Sequence, residues 1–142
     1  MKYILSIISL LLFISCADDD RIQNPYLPNV AVNFQVNLNL PQFNELDFPG
    51  GSAVLRREDT GIYGTYIRNI DNTTFVAFEL TDPNHKIQAC SSLNVANEKA
   101  TCGCSDANSY NLIFGQPEDS SLPYSLKAYR VQKQGNILTI TN

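Results

Sequence analysis

Val30-Ala31-Val32-Asn33-Phe34-Gln35-Val36-Asn37-Leu38-Asn39-Leu40 decides the fold class. Val30, Val32, Phe34, Val36, Leu38 and Leu40 are apolar, and Ala31, Asn33, Gln35, Asn37 and Asn39 stand between them. A period of two puts one set on each face of an extended chain, so the stretch is predicted to be a half-buried strand. Pro41 ends it, because proline offers no N–H to a ladder. Downstream, Phe48-Pro49-Gly50-Gly51 reads as a turn. Ala53–Arg56, Gly61–Arg68 and Thr73–Leu80 read as short strands, with Asn69-Ile70-Asp71-Asn72 as a hairpin turn between the last two. Lys127–Gln132 and Ile137–Thr141 flank Lys133-Gln134-Gly135-Asn136, a second hairpin with glycine where a positive φ is needed. No stretch of ten or more residues carries the 3.6-residue apolar spacing of a helix. The expectation is an all-β domain, a small sandwich or barrel. Thr81–Ser125 is read as loop-rich, and it holds His85, Cys90, Cys102 and Cys104.

At 142 residues the chain has room for about one domain. Its 44% hydrophobic and 17% charged residues are a globular composition. A net charge of -4 without a Lys/Arg cluster argues against a nucleic-acid partner. The single histidine excludes any mechanism needing two imidazoles, and the four cysteines pose the choice between disulfide and metal.

Residues 1–15 read as an export signal. Met1-Lys2 is a basic start, and Ile4–Ile14 is an apolar run too short to span a bilayer core of about 30 Å as a helix. The run ends Phe13-Ile14-Ser15-Cys16, which resembles a bacterial lipobox with Cys16 as the lipidated residue. Asp18-Asp19-Asp20 follows closely, and it resembles the surface-export signal of Bacteroidetes lipoproteins. Residues 16–29 then form an anchor and tether, with Pro25 and Pro28 in it, and 30–142 the folded domain. The expected partner is the membrane, through lipid at Cys16 in the outer membrane of the cell envelope, facing the periplasm or the exterior. No motif names a protein partner.

Phe75-Val76-Ala77-Phe78-Glu79-Leu80-Thr81-Asp82-Pro83-Asn84, then Thr101-Cys102-Gly103-Cys104-Ser105, Tyr110-Asn111-Leu112, Gly115-Gln116-Pro117, Leu126, Tyr129-Arg130-Val131 and the Gly135–Ile140 stretch together resemble a Rieske iron–sulfur domain. The resemblance covers roughly Gly61–Asn142. It implies a small antiparallel β-sandwich or barrel with two loops forming a cluster-binding subdomain, and single-electron transfer through [2Fe–2S]. In that family the first loop reads Cys-x-His and the second Cys-x-x-His. Here Asp82 and Asn84 stand at the first pair, Cys102 keeps the second cysteine, and Ser105 takes the second histidine position. A Rieske cluster needs two histidines on one iron and two cysteines on the other. One histidine in the chain cannot supply them.

Some Rieske proteins tie the two loops with a disulfide, and the resemblance puts Cys104 at one end of such a bond and Cys90 at the other. The alternative pairing, Cys90–Cys102, stays open at this level, and a Cys102–Cys104 bond would be strained. Closing the Cys90–Cys104 loop is worth about 3 kcal/mol on the chain-entropy model, and an oxidising envelope favours it. The competing reading is a metal site: His85, Cys90, Cys102 and Cys104 have the number and type of ligands for tetrahedral Zn²⁺, or for an unusual [2Fe–2S] set. Enzyme signatures such as Gly-x-Ser-x-Gly or a phosphate-binding glycine loop are absent. Glu45, Asp47, Glu58 and Asp59 read as solvated surface acids, and Tyr63, Tyr66 and Tyr110 as strand partners rather than stacking residues. The sequence therefore favours a cluster-free structural or binding module. A redox or metal-binding protein is the alternative, and an accessory lipoprotein of a surface complex a third.

Overall fold

The computed structural model describes residues 24–142. The leader, Cys16 and the acidic run behind it lie outside those residues. Among the described residues nine strands run in chain order: β1 (Asn33–Asn37), β2 (Ser52–Leu55), β3 (Thr65–Asn69), β4 (Phe75–Glu79), β5 (Leu93–Ala96), β6 (Lys99–Cys102), β7 (Ser109–Asn111), β8 (Ala128–Gln134) and β9 (Ile137–Thr141). They form a six-stranded sheet of order β1-β9-β8-β4-β3-β2 and a three-stranded sheet of order β5-β6-β7. All pairings are antiparallel. The fold is thus all-β, a curled large sheet with a small sheet that carries the two loops. Among the described residues no helix is long and apolar enough to cross a membrane.

The alternation read from the sequence sets the packing. Val32, Phe34, Val36 and Leu38 are all buried, whereas Leu40 is exposed and the laddered part of β1 is shorter than the apolar pattern. Past Leu38 the chain turns into a 3₁₀ segment, Pro41–Asp47, with proline in its first turn where no N–H is missed. Phe43 and Leu46 from that segment close the first core, which gathers β1 side chains with Leu55, Ile67, Phe75, Ala77, Tyr129, Leu138 and Ile140. β1 and β2 are opposite edges of the large sheet, so sharing this core requires the sheet to curl.

β3 and β4 are the common wall. Ile67 and Ala77 point into the first core, while Tyr66, Phe78 and Leu80 point the other way into a second. There they meet Leu93, Ala100, Cys102, Tyr110, Leu112 and Leu126 of the small sheet and its connections. Burial on both faces explains why β4 reads as a nearly continuous apolar run, Phe75-Val76-Ala77-Phe78.

Two hairpins match their predicted turns with adjusted limits. Asn72, at φ 69°, turns β3 into β4, and its amide donates to the Asn69 side chain at 2.7 Å. At the β8–β9 turn, Lys133 and Gln134 belong to β8, and only Gly135-Asn136 forms the loop. The loop reading of 81–125 needs correction, because it contains the whole small sheet.

Glu79 ends β4 fully buried. Its carboxylate accepts hydrogen bonds from the Ile62 and Tyr63 amides, the Thr81 hydroxyl and the Tyr129 phenol, at 2.9, 3.1, 2.7 and 2.5 Å. Gly61 makes room, since a Cβ there would lie 2.2 Å from Glu79 Oε2. Four donors around one carboxylate leave no place for an amide NH₂. Glu79→Gln should therefore cost about 3 kcal/mol, read as a lower denaturant midpoint at unchanged m-value. A loss under about 0.5 kcal/mol, the range of ordinary surface changes, would refute this role.

Candidate functional site: two loops closed by a disulfide

The two loops meet at one end of the small sheet, where Leu93 pairs with Cys102. The first begins at Leu80 and returns at Leu93, pinned by the Thr81–Ser92 bridge and by bonds from the Asp82 amide to the Ser91 carbonyl (2.9 Å) and the Leu93 amide to the Leu80 carbonyl (2.9 Å). Cys90 sits in a short 3₁₀ turn, Ala89–Ser91, whose ends are held by reciprocal Gln88 and Ser91 contacts. The second loop links β6 to β7 and closes with the Cys102 amide on the Asn108 carbonyl at 2.8 Å. Ala107, at φ 48°, makes its turn.

Cys90 and Cys104 are joined by a disulfide, with Cα atoms 4.9 Å apart. Gly103 lets the loops approach: a Cβ there would lie 3.0 Å from the Cys90 carbonyl oxygen. Cys102 remains a free, buried thiol. It donates weakly to the Cys90 carbonyl at 3.6 Å and accepts from the Cys104 amide at 3.4 Å. Burial pushes its pKa up to about 12, and the nearby Asp82 and Asp106 carboxylates add to this while the Cys104 amide opposes it. At neutral pH it is a thiol, not a thiolate.

Asp82 is the hub beside it. Fully buried, it accepts from the Asn84 amide (2.8 Å), the Tyr110 phenol (2.7 Å) and the Asn108 side chain (3.0 Å). Burial, reinforced by Asp82, holds the Tyr110 phenol above its ordinary range. Asn84 is committed at both ends: its NH₂ donates to Tyr110 Oη and the Tyr124 carbonyl, at 2.8 and 2.7 Å, and its oxygen accepts from the Tyr124 amide at 3.0 Å. His85 enters between the loops. Its Nε2 lies 3.3 Å from Cys102 Sγ, 3.3 Å from Asp82 Oδ2 and 3.5 Å from Asp106 Oδ2, and its Nδ1 meets the Lys86 carbonyl at 2.9 Å. Ser105 is exposed.

The structure thus gathers His85, Cys102 and Cys104 with Asp106, one ligand atom of each lying within 4.8 Å of the others. Cys90, grouped with them on sequence, is taken up in the bond to Cys104. Asp106 and Asn108 were not singled out as contributors, although Asp106 directly follows the loop's cysteine pair. Tyr66 and Tyr110 are buried strand residues, Tyr63 donates its hydroxyl to the Gln88 carbonyl at 2.8 Å, and Glu45, Asp47, Glu58 and Asp59 are exposed. Upstream, Asn24 donates from its side chain to the Pro83 carbonyl at 2.8 Å, and Tyr26 packs edge-on against Tyr124 with ring centroids 6.2 Å apart.

A Rieske cluster would require two cysteines and two histidines at the positions held by Asp82, Asn84, Cys102 and Ser105. Asp82 and Asn84 have their polar atoms engaged by protein groups, and Cys102 alone keeps a ligand's chemistry. The residues present do not fit that cluster.

No family model and no curated protein matches the chain. Among solved structures it is similar to the ferredoxin of carbazole 1,9a-dioxygenase from Nocardioides aromaticivorans IC177 (11% identity, 77% of this chain and 96% of that one, TM-score 0.44). It is also similar to a chain in the complex of reduced oxygenase and oxidised ferredoxin in carbazole 1,9a-dioxygenase (19% identity, 66% and 82%, TM-score 0.43). A third is described as an NADH-dependent nitrite reductase small subunit from Mycobacterium tuberculosis (14% identity, 80% and 97%, TM-score 0.44).

Proposed function

We propose that this chain is a lipid-anchored, Rieske-like module of the cell envelope that works without an iron–sulfur cluster, as a structural or binding domain whose two loops are held by the Cys90–Cys104 disulfide. One observation carries the reading. Asp82 and Asn84, at the first pair of ligand positions, are saturated by hydrogen bonds from Tyr110, Asn108, Tyr124 and the loop backbone. A carboxylate buried with that many donors serves as a hydrogen-bond hub that keeps the loops together. The side chain of His85 fills the space between the loops, against Cys102 and the two acids. The lipid anchor is supported by the export signal of residues 1–15 running directly into Cys16, and the acidic run behind it resembles a surface-export signal, with the domain facing the periplasm or the exterior.

Two measurements on one preparation test this. Iron and acid-labile sulfide should be absent from the chain purified from its own envelope, and the preparation should be colourless. Labelled palmitate should be incorporated and lost in Cys16→Ser. A brown chain with a low-field Rieske resonance would overturn the cluster-free reading, and palmitate-independent membrane retention would overturn the anchor.

A second reading is favoured by a specific observation, the convergence of His85, Cys102, Cys104 and Asp106. It is a metal-binding or redox protein using His85, Cys102 and Cys104, with Cys90, the fourth ligand offered by the sequence, tied to Cys104.

A further inference from the structure

The disulfide and the free thiol meet at the same place. Cys104 Sγ is bonded to Cys90, yet it lies within 4.8 Å of Cys102 Sγ, a His85 ring nitrogen and an Asp106 oxygen. A tetrahedral Zn²⁺ with sulfur ligands at about 2.3 Å and a nitrogen at about 2.0 Å sets ligand atoms roughly 3.3–3.8 Å apart. The four atoms need only draw together slightly to reach that spacing. Only one of them, Cys104 Sγ, is blocked by a covalent bond.

We propose that reduction of the Cys90–Cys104 disulfide by a dithiol-class reductant completes a site for a single thiophilic divalent cation, made by His85, Cys102, Cys104 and Asp106. The inference rests on the reading that no iron–sulfur cluster fills this space. In the reduction, the dithiol is oxidised to its own disulfide, and Cys90 and Cys104 each gain a hydrogen. On metal binding, the Cys102 and Cys104 thiols release their protons to solvent and coordinate as thiolates.

The surroundings suit these roles. His85 Nδ1 is 2.9 Å from the Lys86 carbonyl; as the donor there it leaves the Nε2 lone pair facing Cys102, the supporting contact metal-bound histidines use. The Cys104 amide already points at Cys102 Sγ. Asp106 is the less committed carboxylate, accepting one 3.3 Å bond from the Asn108 side chain. Its side chain is 40% exposed, whereas buried Asp82 already accepts from Tyr110, Asn84 and Asn108. The second core packs Cys102 from below, and exposed Ser105 and Asp106 leave an approach from solvent.

The test uses the full chain carrying Cys16→Ser, so that only the loop thiols count, with Co²⁺ as the probe. After a phosphine reductant, which supplies electrons without chelating, the chain should take up about one Co²⁺ with thiolate-to-cobalt charge-transfer absorption. Losing even a partner behind a metal ligand costs roughly 10–100-fold in affinity. The reduced chain should therefore bind at least about 100-fold tighter than the oxidised one, because it gains a ligand outright. Cys90→Ser should bind as tightly with no reductant, and His85→Ala or Asp106→Ala in that background should lose the gain. Equal affinity in oxidised and reduced chains overturns the proposal. So does binding that survives His85→Ala, or binding by the reduced chain that Cys90→Ser abolishes, which would make Cys90 itself a ligand. Near-UV circular dichroism is followed throughout, and loss of the folded signal on reduction also overturns it. Iron in the purified chain would instead defeat the cluster-free reading.

Discussion

Asp82→Ala is expected to destabilise the chain by about 3–5 kcal/mol, since each buried donor left unsatisfied costs about 1–3 kcal/mol. The substitution removes the acceptor of three donors at once, the Asn84 amide, the Tyr110 phenol and the Asn108 side chain, of which Asn108 keeps only a 3.3 Å bond to Asp106. Two of the three, Tyr110 and Asn108, lie on the second loop or the strand that follows it, so the loss loosens both loops. Asp82→Asn keeps the volume and one acceptor oxygen, and should cost less, about 1–3 kcal/mol. A second readout separates this role from simple cavity formation. Asp82 helps to raise the Cys102 pKa, so the thiol should titrate at lower pH in both variants. The sign follows from the direction of the shift. A thiol whose folded pKa is raised favours the fold below its unfolded value, near the ordinary 8.5, and that favour is lost as pH climbs toward about 12. Asp82→Ala should therefore flatten the decline of stability on the alkaline side. An unchanged denaturation midpoint with an unchanged thiol titration would remove Asp82 from the centre of the site.

Cys90→Ser should cost about 3 kcal/mol, the chain-entropy value for opening a loop near 15 residues. For a domain of this size that is a fall of roughly 10 °C in Tm. The control is internal. A reductant should lower the Tm of the parent chain by the same amount and leave Cys90→Ser unmoved. If the parent melts identically with and without reductant, the bond between Cys90 and Cys104 contributes nothing to stability.

The large sheet was legible because its strands announce themselves. Val32, Phe34, Val36 and Leu38 alternate cleanly, and the β8–β9 turn carries glycine at the one position with positive φ. β3 and β4 were readable as strands, but their division between two cores was not, since period two gives the faces and not what covers them. The small sheet stayed hidden for a physical reason. Its strands have only three or four residues, and each buries one or two side chains such as Leu93, Ala100, Cys102 and Tyr110. Too few periods exist for a pattern to stand out, and the sheet is held by packing on Tyr66, Phe78 and Leu80 from another part of the chain. The 3₁₀ segment after Pro41 left a fainter mark, Phe43 and Leu46 three apart behind a proline.

At the site, residue identity was legible and arrangement was not. The cysteines, His85, Asp82 and Asn84 all stood out as chemistry-bearing or as substituted ligand positions. That Asp82 gathers donors from both loops depends on Tyr110 and Asn108, which come near only because β6 and β7 fold back beneath the first loop. Asp106 joins the cluster through the turn at Ala107, whose left-handed backbone gives no clear signal in an alanine.

The contact between Asn24 and the Pro83 carbonyl has a geographical consequence. Seven residues lie between Cys16 and Asn24, so eight chain steps span at most about 29 Å when fully stretched. If Cys16 is fatty-acylated as proposed, that leash is fastened to the loop end of the domain rather than to its far side. On that proposal the loop end stands within that reach of the lipid headgroups, across a gap of at most about 29 Å. Ions and small reductants could pass through it freely, whereas a bulky visitor would have to come in from the side.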